Sequence, residues 1–212
     1  MKPRFDLSLY LLTDRRLSGP RGIAATVAAA VAGGATLVQL RDREATTRDL
    51  VAAARELKAL LAPLGIPLIV NDRVDVALAA DADGVHVGQS DMAVADARRL
   101  IGEGRILGLS ITAPADLDGA DLSGVDYLGV GPIYATATKG DAALPMGLAG
   151  LRAVAARTRL PIVAIGGLDA GNAADVVRAG AAGVAVVSAI AAAPDPRAAA
   201  AAIRAAVEAA RR

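Results

Sequence analysis

The 212-residue sequence predicts an α/β fold, a (β/α)8 TIM barrel formed as a single domain over residues 1–212. Three features lead there: eight short runs rich in Val, Ile, Leu and Tyr, segments of helical composition between them, and polar residues gathered just after the runs. A chain of this length closes one sizeable core and falls at the short end for eight βα units. A doubly wound open sheet would alternate in the same way, but eight units in this length without a domain-like linker favour closure.

In order, the strand runs are residues 9–13, 36–40, 68–70, 84–87, 106–109, 127–130, 162–165 and 184–187. Each is short and nearly all apolar, as expected of a parallel strand covered on both faces. Helical segments fall at 47–61, 93–101, 148–157 and 172–179, closed by Gly or Pro. The alanine-rich tail 197–212 places Ile203 and Val207 four apart with charges at other positions, the pattern of an amphipathic terminal helix.

Lys plus Arg number 23 against 22 Asp plus Glu, a balance that supports neither a nucleic-acid binder nor a membrane-surface binder. An anion site must therefore be local. The absence of cysteine removes disulfide frameworks and thiolate metal cages, and it suits a reducing compartment, with cytoplasm the expectation. The first residues, MKPRFDLSLYLLTD, carry neither a signal-peptide pattern nor about twenty apolar residues for a span, so no membrane partner is expected. A homo-oligomer is compatible with the sequence.

The polar residues after the strand runs would converge on one rim of a barrel, where such folds do their chemistry. The opposite connections, such as Gly65-Ile-Pro67 and Ala181-Ala-Gly183, are small and uncharged. If strand geometry persists past the second run, Gln39, Arg41 and Arg43 share a face and form an anion clamp. Arg41 could instead pair with Asp42 or Asp72 as a structural charge. Asn71-Asp72 and Gly88-Gln89-Ser90-Asp91 end neighbouring strands, so two carboxylates can meet. Hard Mg2+ favours one or two carboxylates plus waters and phosphate oxygens, although both aspartates also precede helical segments and could be N-caps. In the loop after the sixth run, Thr136, Thr138 and Lys139 have the chemistry of phosphate ligands, or of a plain surface loop. Gly166-Gly167 and Ser188 end the last two strands, where barrels often hold a phosphate on backbone N–H groups. A glycine pair also suits a tight strand exit. His86, the sole histidine, sits between Val85 and Val87 and reads as a satisfied core imidazole in preference to a catalytic base. No Ser-His-Asp set and no Gly-x-Gly-x-x-Gly after the first strand are evident.

The ordered stretches QLRDR, VNDRVD, DADGVHVGQSD, LGLS, YLGVGPIYATATKGD, PIVAIGG and GVAVVSAI make the chain resemble the thiamine-phosphate synthase family over nearly its whole length. The resemblance implies a transferase that joins 4-amino-2-methyl-5-(diphosphooxymethyl)pyrimidine to a thiazole phosphate with release of pyrophosphate. It implies that Gln39, Arg41, Arg43, Asn71, Ser110 and Lys139 hold the pyrimidine diphosphate, with Ser110 and Lys139 in catalytic roles, and that Asp72 and Asp91 bind Mg2+ as cofactor. Thr136, Thr138, Gly167, Val187 and Ser188 would hold the thiazole phosphate. Three positions depart from the family: Arg43 stands for a usual Lys, Ala135 for a usual Pro, and Ile111-Thr112 follow Ser110 without the frequent His. A sister thiazole tautomerase lacks the metal pair and uses a His near the fifth strand, so both differences point to the synthase. A silent barrel binding a phosphorylated metabolite is the remaining alternative.

Overall fold

The computed structural model describes residues 2–136 and 144–212. Its eight parallel strands are β1 (Leu9–Leu12), β2 (Leu37–Leu40), β3 (Leu68–Asn71), β4 (Gly84–Val87), β5 (Ile106–Ile111), β6 (Tyr127–Val130), β7 (Ile162–Ile165) and β8 (Gly183–Val186). They hydrogen-bond in sequence order, and β8 pairs with β1 through Leu9↔Val184 and Leu11↔Val186, which closes the barrel as expected.

Helices among the described residues are α1 (Arg15–Ser18), α2 (Ile23–Ala32), α3 (Thr47–Leu61), α4 (Val74–Ala79), α5 (Val94–Ile101), α6 (Gly147–Ala155), α7 (Ala173–Arg178), α8 (Ser188–Ala191) and α9 (Pro196–Ala210). Thr46 starts α3 by accepting from Asp49 N, and Asp195 starts α9 by accepting from Ala198 N at 3.0 Å. The eightfold βα repeat is broken once. Between β5 and β6 there is only a 3-10 turn, Pro114–Leu117, because Asp116 accepts from Thr112 N, Thr112 Oγ1 and Ala113 N and stops the segment early.

Period-two alternation divides the apolar residues into two cores. Outward side chains such as Leu11, Val38, Val70, Val85 and Leu128 pack under the helices. Inward ones, Tyr10, Leu12, Leu37, Ile69, Ile106, Tyr127, Val163 and Ala185, fill the barrel itself. Two inward glycines make room for the largest rings. A Cβ on Gly108 would stand 2.3 Å from Tyr127 Cζ and 2.4 Å from His86 Nδ1, and one on Gly129 would stand 2.9 Å from His86 Cε1.

The end of the barrel opposite the polar rim is not uncharged, contrary to the expectation from its short connections. It carries Lys58–Asp83, Arg105–Asp81, Lys2–Asp126 and Arg98–Asp126 ion pairs. Its charges are mutually paired, so they serve stability. Buried Arg98 also donates to the carbonyls of Gly102, Arg105 and Gly124, tying α5 to the entries of β5 and β6. Arg98→Leu should cost about 3 kcal/mol, since it leaves three carbonyls without their donor and Asp126 with only Lys2 and Leu107 N as partners. Chemical unfolding reads the loss, and kinetic constants of the folded fraction should not move.

Candidate active site

The C-terminal strand ends enclose a cavity of about 350 Å3. Its lining includes Gln39, Arg41, Arg43, Asn71, Asp72, Asp91, Ser110, Thr136, Gly167, Val187 and Ser188, so the fold brings together every described residue picked from the sequence. Thr138 and Lys139 lie outside the described residues.

The cation side is built differently from a continued strand. β2 ends at Leu40, and the chain beyond is held by Thr13, whose hydroxyl accepts from Arg41 N at 3.0 Å and donates to Arg41 O at 3.2 Å. Asp42 then folds the turn by accepting from Glu44 N and Ala45 N, while Arg15 Nε donates to it at 2.7 Å. Arg15 and these amides hold the Asp42 carboxyl below its ordinary range despite its burial. The structural partner of Asp42 is thus Arg15, and both Arg41 and Arg43 face the cavity.

Neither aspartate caps a helix. The N-cap positions of α4 and α5 are Arg73 and Ala93, without side-chain capping bonds. Asp72 adopts φ +60°, an uncommon backbone state for a residue other than glycine. Asp91 accepts from Gly88 N at 2.7 Å, which folds the 88–91 turn back toward β3. The two carboxyls meet. Burial raises Asp72 from the usual 3.8 to about 6, with contact and repulsion from Asp91 adding to the shift, while Asn71 and the Arg43 charge oppose it. Among the described residues no three His, Cys, Asp or Glu side chains cluster for a metal; this pair supplies the carboxylates of the cavity lining, which Asn71, Gln89 and Ser90 also join. A pair of carboxylates that repel each other, open to a cavity, matches what Mg2+ takes from proteins.

Across the cavity, Gly166 and Gly167 have φ of +103° and +65°. A Cβ on Gly166 would lie 2.6 Å from Pro132 Cα, and one on Gly167 would lie 2.7 Å from Ala135 O. The tight-exit reading is therefore satisfied: the glycines let the segment after β6 pack on β7, where Ile133 N and Tyr134 N donate to Ile165 O and Gly166 O. The same packing sets Thr136 on the cavity wall beside Gly167. Val187 and Ser188 stand at the start of α8, whose first amides have no intrahelical acceptor. That gives this half of the rim N–H and hydroxyl donors without a formal charge.

His86 is buried, as expected of a core imidazole, but it also borders the cavity. Its Nε2 lies 2.9 Å from Ser110 Oγ and its Nδ1 lies 2.9 Å from Tyr127 Oη. Tyr127 Oη is 2.8 Å from Tyr10 Oη, to which Gln39 Nε2 donates at 2.7 Å. Tyr10 and Tyr127 were not among the residues picked from the sequence. The available signal was their inward parity in β1 and β6, combined with the need of a buried phenol for a partner.

Fold and rim together define a (β/α)8 barrel enzyme for phosphorylated substrates, with a carboxylate and guanidinium half and a neutral glycine and hydroxyl half. A family model described as thiamine monophosphate synthase matches residues 9–190. The chain belongs to that family. It is 65% identical over 211 residues to the thiamine-phosphate synthase of Xanthobacter autotrophicus, covering 100% of both chains. To that of Chloroflexus aurantiacus it is 57% identical, over 95% of this chain and 93% of the relative. A solved structure of thiamine phosphate pyrophosphorylase from Pyrococcus furiosus superposes with a TM-score of 0.84 at 39% identity, covering 96% of each chain. No helix among the described residues is long and apolar enough to cross a membrane.

Proposed function

We propose that this barrel couples 4-amino-2-methyl-5-(diphosphooxymethyl)pyrimidine to a thiazole phosphate, giving thiamine phosphate and pyrophosphate. The observation that carries the reading is the meeting of Asp72 and Asp91 in a cavity that Arg41 and Arg43 also line. A diphosphate leaving group calls for that combination. Asp72 and Asp91 would hold Mg2+, which when bound neutralises charge on the departing diphosphate.

The chain's own residues do the rest by position and charge. Arg41 and Arg43 bind diphosphate oxygens, and Lys139 adds a third cation. Asn71, Gln39 and Ser110 orient the pyrimidine. Thr136, Thr138, Gly167, Val187 and Ser188 hold the acceptor phosphate, so the thiazole nitrogen faces the pyrimidine methylene. The methylene C–O bond breaks first and pyrophosphate leaves with the electron pair. The nitrogen lone pair then forms the new C–N bond on the resulting cation, and no proton is transferred at that bond. Apolar Leu12, Val163, Ile165 and Ala185 line the cavity floor and keep competing water from the cation.

The decisive experiment incubates purified protein with both substrates and follows pyrophosphate. Release that requires Mg2+ and both substrates is expected; substrate binding without release would sink the reading. Arg43→Lys, which restores the family's usual residue, should change kcat/KM by less than about threefold, because charge and reach are kept. A loss of activity in that variant would show that Arg43 acts through bidentate geometry.

A further inference from the structure

The hydrogen-bonded chain across the barrel contains three residues, Tyr10, Tyr127 and His86, to which the proposed reaction gives no task. Among its bonds only Gln39 Nε2 to Tyr10 Oη has an assigned donor, and with that amide orientation a proton count sets the direction of the other three. Gln39 Nε2 donates to Tyr10 Oη at 2.7 Å, so the single Tyr10 proton passes on to Tyr127 Oη, 2.8 Å away. Tyr127 in turn gives its proton to His86 Nδ1 at 2.9 Å. The ring proton then sits on Nε2 and is donated to Ser110 Oγ at 2.9 Å. Ser110 accepts within the chain, so its own hydroxyl proton is released to the cavity. Complete burial raises both phenols well above their ordinary value, so neither drops out of the chain by ionising.

We propose that Tyr10, Tyr127 and His86 are positioning residues that fix the polarity of the two chain ends, presenting Ser110 to the substrate as a hydrogen-bond donor and the Gln39 amide oxygen as an acceptor. This rests on the synthase reading for the identity of the substrate. A ring nitrogen beside an exocyclic amine offers the matching acceptor and donor. A 4-oxo pyrimidine, with its carbonyl beside a ring N–H, offers the reverse. Discrimination follows because inverting the site means turning all five groups at once, and a mismatched buried polar pair is costly.

The close packing that holds the chain supports a positioning role. Gly108 and Gly129 leave the space in which the His86 and Tyr127 rings sit, and Tyr10 meets Tyr127 edge-on with ring centroids 5.9 Å apart. The groups have little room to take alternative partners.

His86 is the only histidine, so protein labelled with 15N-histidine gives a single imidazole spin system. In the ligand-free wild type at neutral pH the expected result is a protonated, pyrrole-like Nε2 and a pyridine-like Nδ1. An Nδ1–H ring or a doubly protonated ring would overturn the proposal, and this measurement needs no variant. Tyr127→Phe, shown folded by its thermal melt, should give mixed tautomers and lower kcat/KM for the pyrimidine diphosphate about tenfold, the equivalent of one hydrogen bond. Its KM for the thiazole phosphate should stay within about twofold. Its preference for the 4-amino over the 4-oxo substrate should shrink by about the same factor as kcat/KM. Wild-type kinetics and an unchanged tautomer in Tyr127→Phe would refute the polarity role. Pyrophosphate release by the wild type tests the synthase reading separately, because the tautomer is read without substrate.

Discussion

Asp72→Asn is expected to abolish Mg2+-dependent turnover, by about a thousandfold, while making the metal-free protein more stable. The two effects share one cause. Burial and the neighbouring Asp91 raise the Asp72 carboxyl to about 6 from 3.8, so without a cation its charged form is disfavoured in the folded state. A folded-state value above the unfolded one means that the folded protein binds the proton more tightly. The stabilising contribution is full below 3.8 and is lost as pH rises through about 6. Asparagine removes the repulsion, and it also tolerates the φ of +60°. Stability should rise by about 1 kcal/mol at pH 8, a modest gain because solvent screens the half-buried pair, corresponding to roughly 2–4 °C in Tm. Mg2+ should raise the wild-type Tm more at pH 8 than at pH 5, where protons compete for the site. Asp91→Asn should lose turnover similarly, with an amide oxygen still able to accept from Gly88 N. Retained activity in both variants would refute the metal assignment, and a less stable metal-free Asp72→Asn would refute the repulsion.

The sequence already carried most of the frame and less of the site. The apolar runs located β4, β6 and β7 to the residue, since Gly84–Val87, Tyr127–Val130 and Ile162–Ile165 are bounded by charges, glycines or prolines. It also set the bounds of α3 at 47–61, where the structure starts the helix on the Thr46 cap and ends it at the Ala62–Leu64 turn. The absence of a helix after β5 was harder to see, because it follows from three hydrogen bonds accepted by Asp116. Within the site, strand ends sufficed to gather Gln39, Asn71, Asp91 and Ser110. Two readings needed coordinates. The choice between N-cap and carboxylate pair for Asp72 turns on a backbone angle, which no side-chain pattern specifies. The Tyr10, Tyr127 and His86 chain joins strands that are not neighbours in the sheet, so alternation could point those side chains inward but could not bring them to one another. Closure and its register do that.

Gly167→Ala should separate the two halves of the rim. The methyl group meets Ala135 O at 2.7 Å and Tyr134 Cβ at 2.8 Å, and the backbone is held at φ +65°. A side chain in that left-handed region costs about 1–2 kcal/mol. The contacts must also be relieved, and the path of relief is the segment after β6, which would slide off β7 and carry Thr136 with it. Thr136 and Gly167 both belong to the proposed acceptor-phosphate site, so KM for the thiazole phosphate should rise about tenfold or more, each factor of ten being worth about 1.4 kcal/mol. Of the residues proposed for the pyrimidine diphosphate, all but Lys139 stand on or just after strands β2 to β5, whose register this change does not touch, so its KM should move several-fold less than that for the thiazole phosphate. Steady-state kinetics with each substrate varied in turn would show the split. Equal losses for both substrates would mean that the rim is one mechanically coupled pocket, with the glycine pair supporting all of it, and the division into a charged half and a neutral half would have to be abandoned.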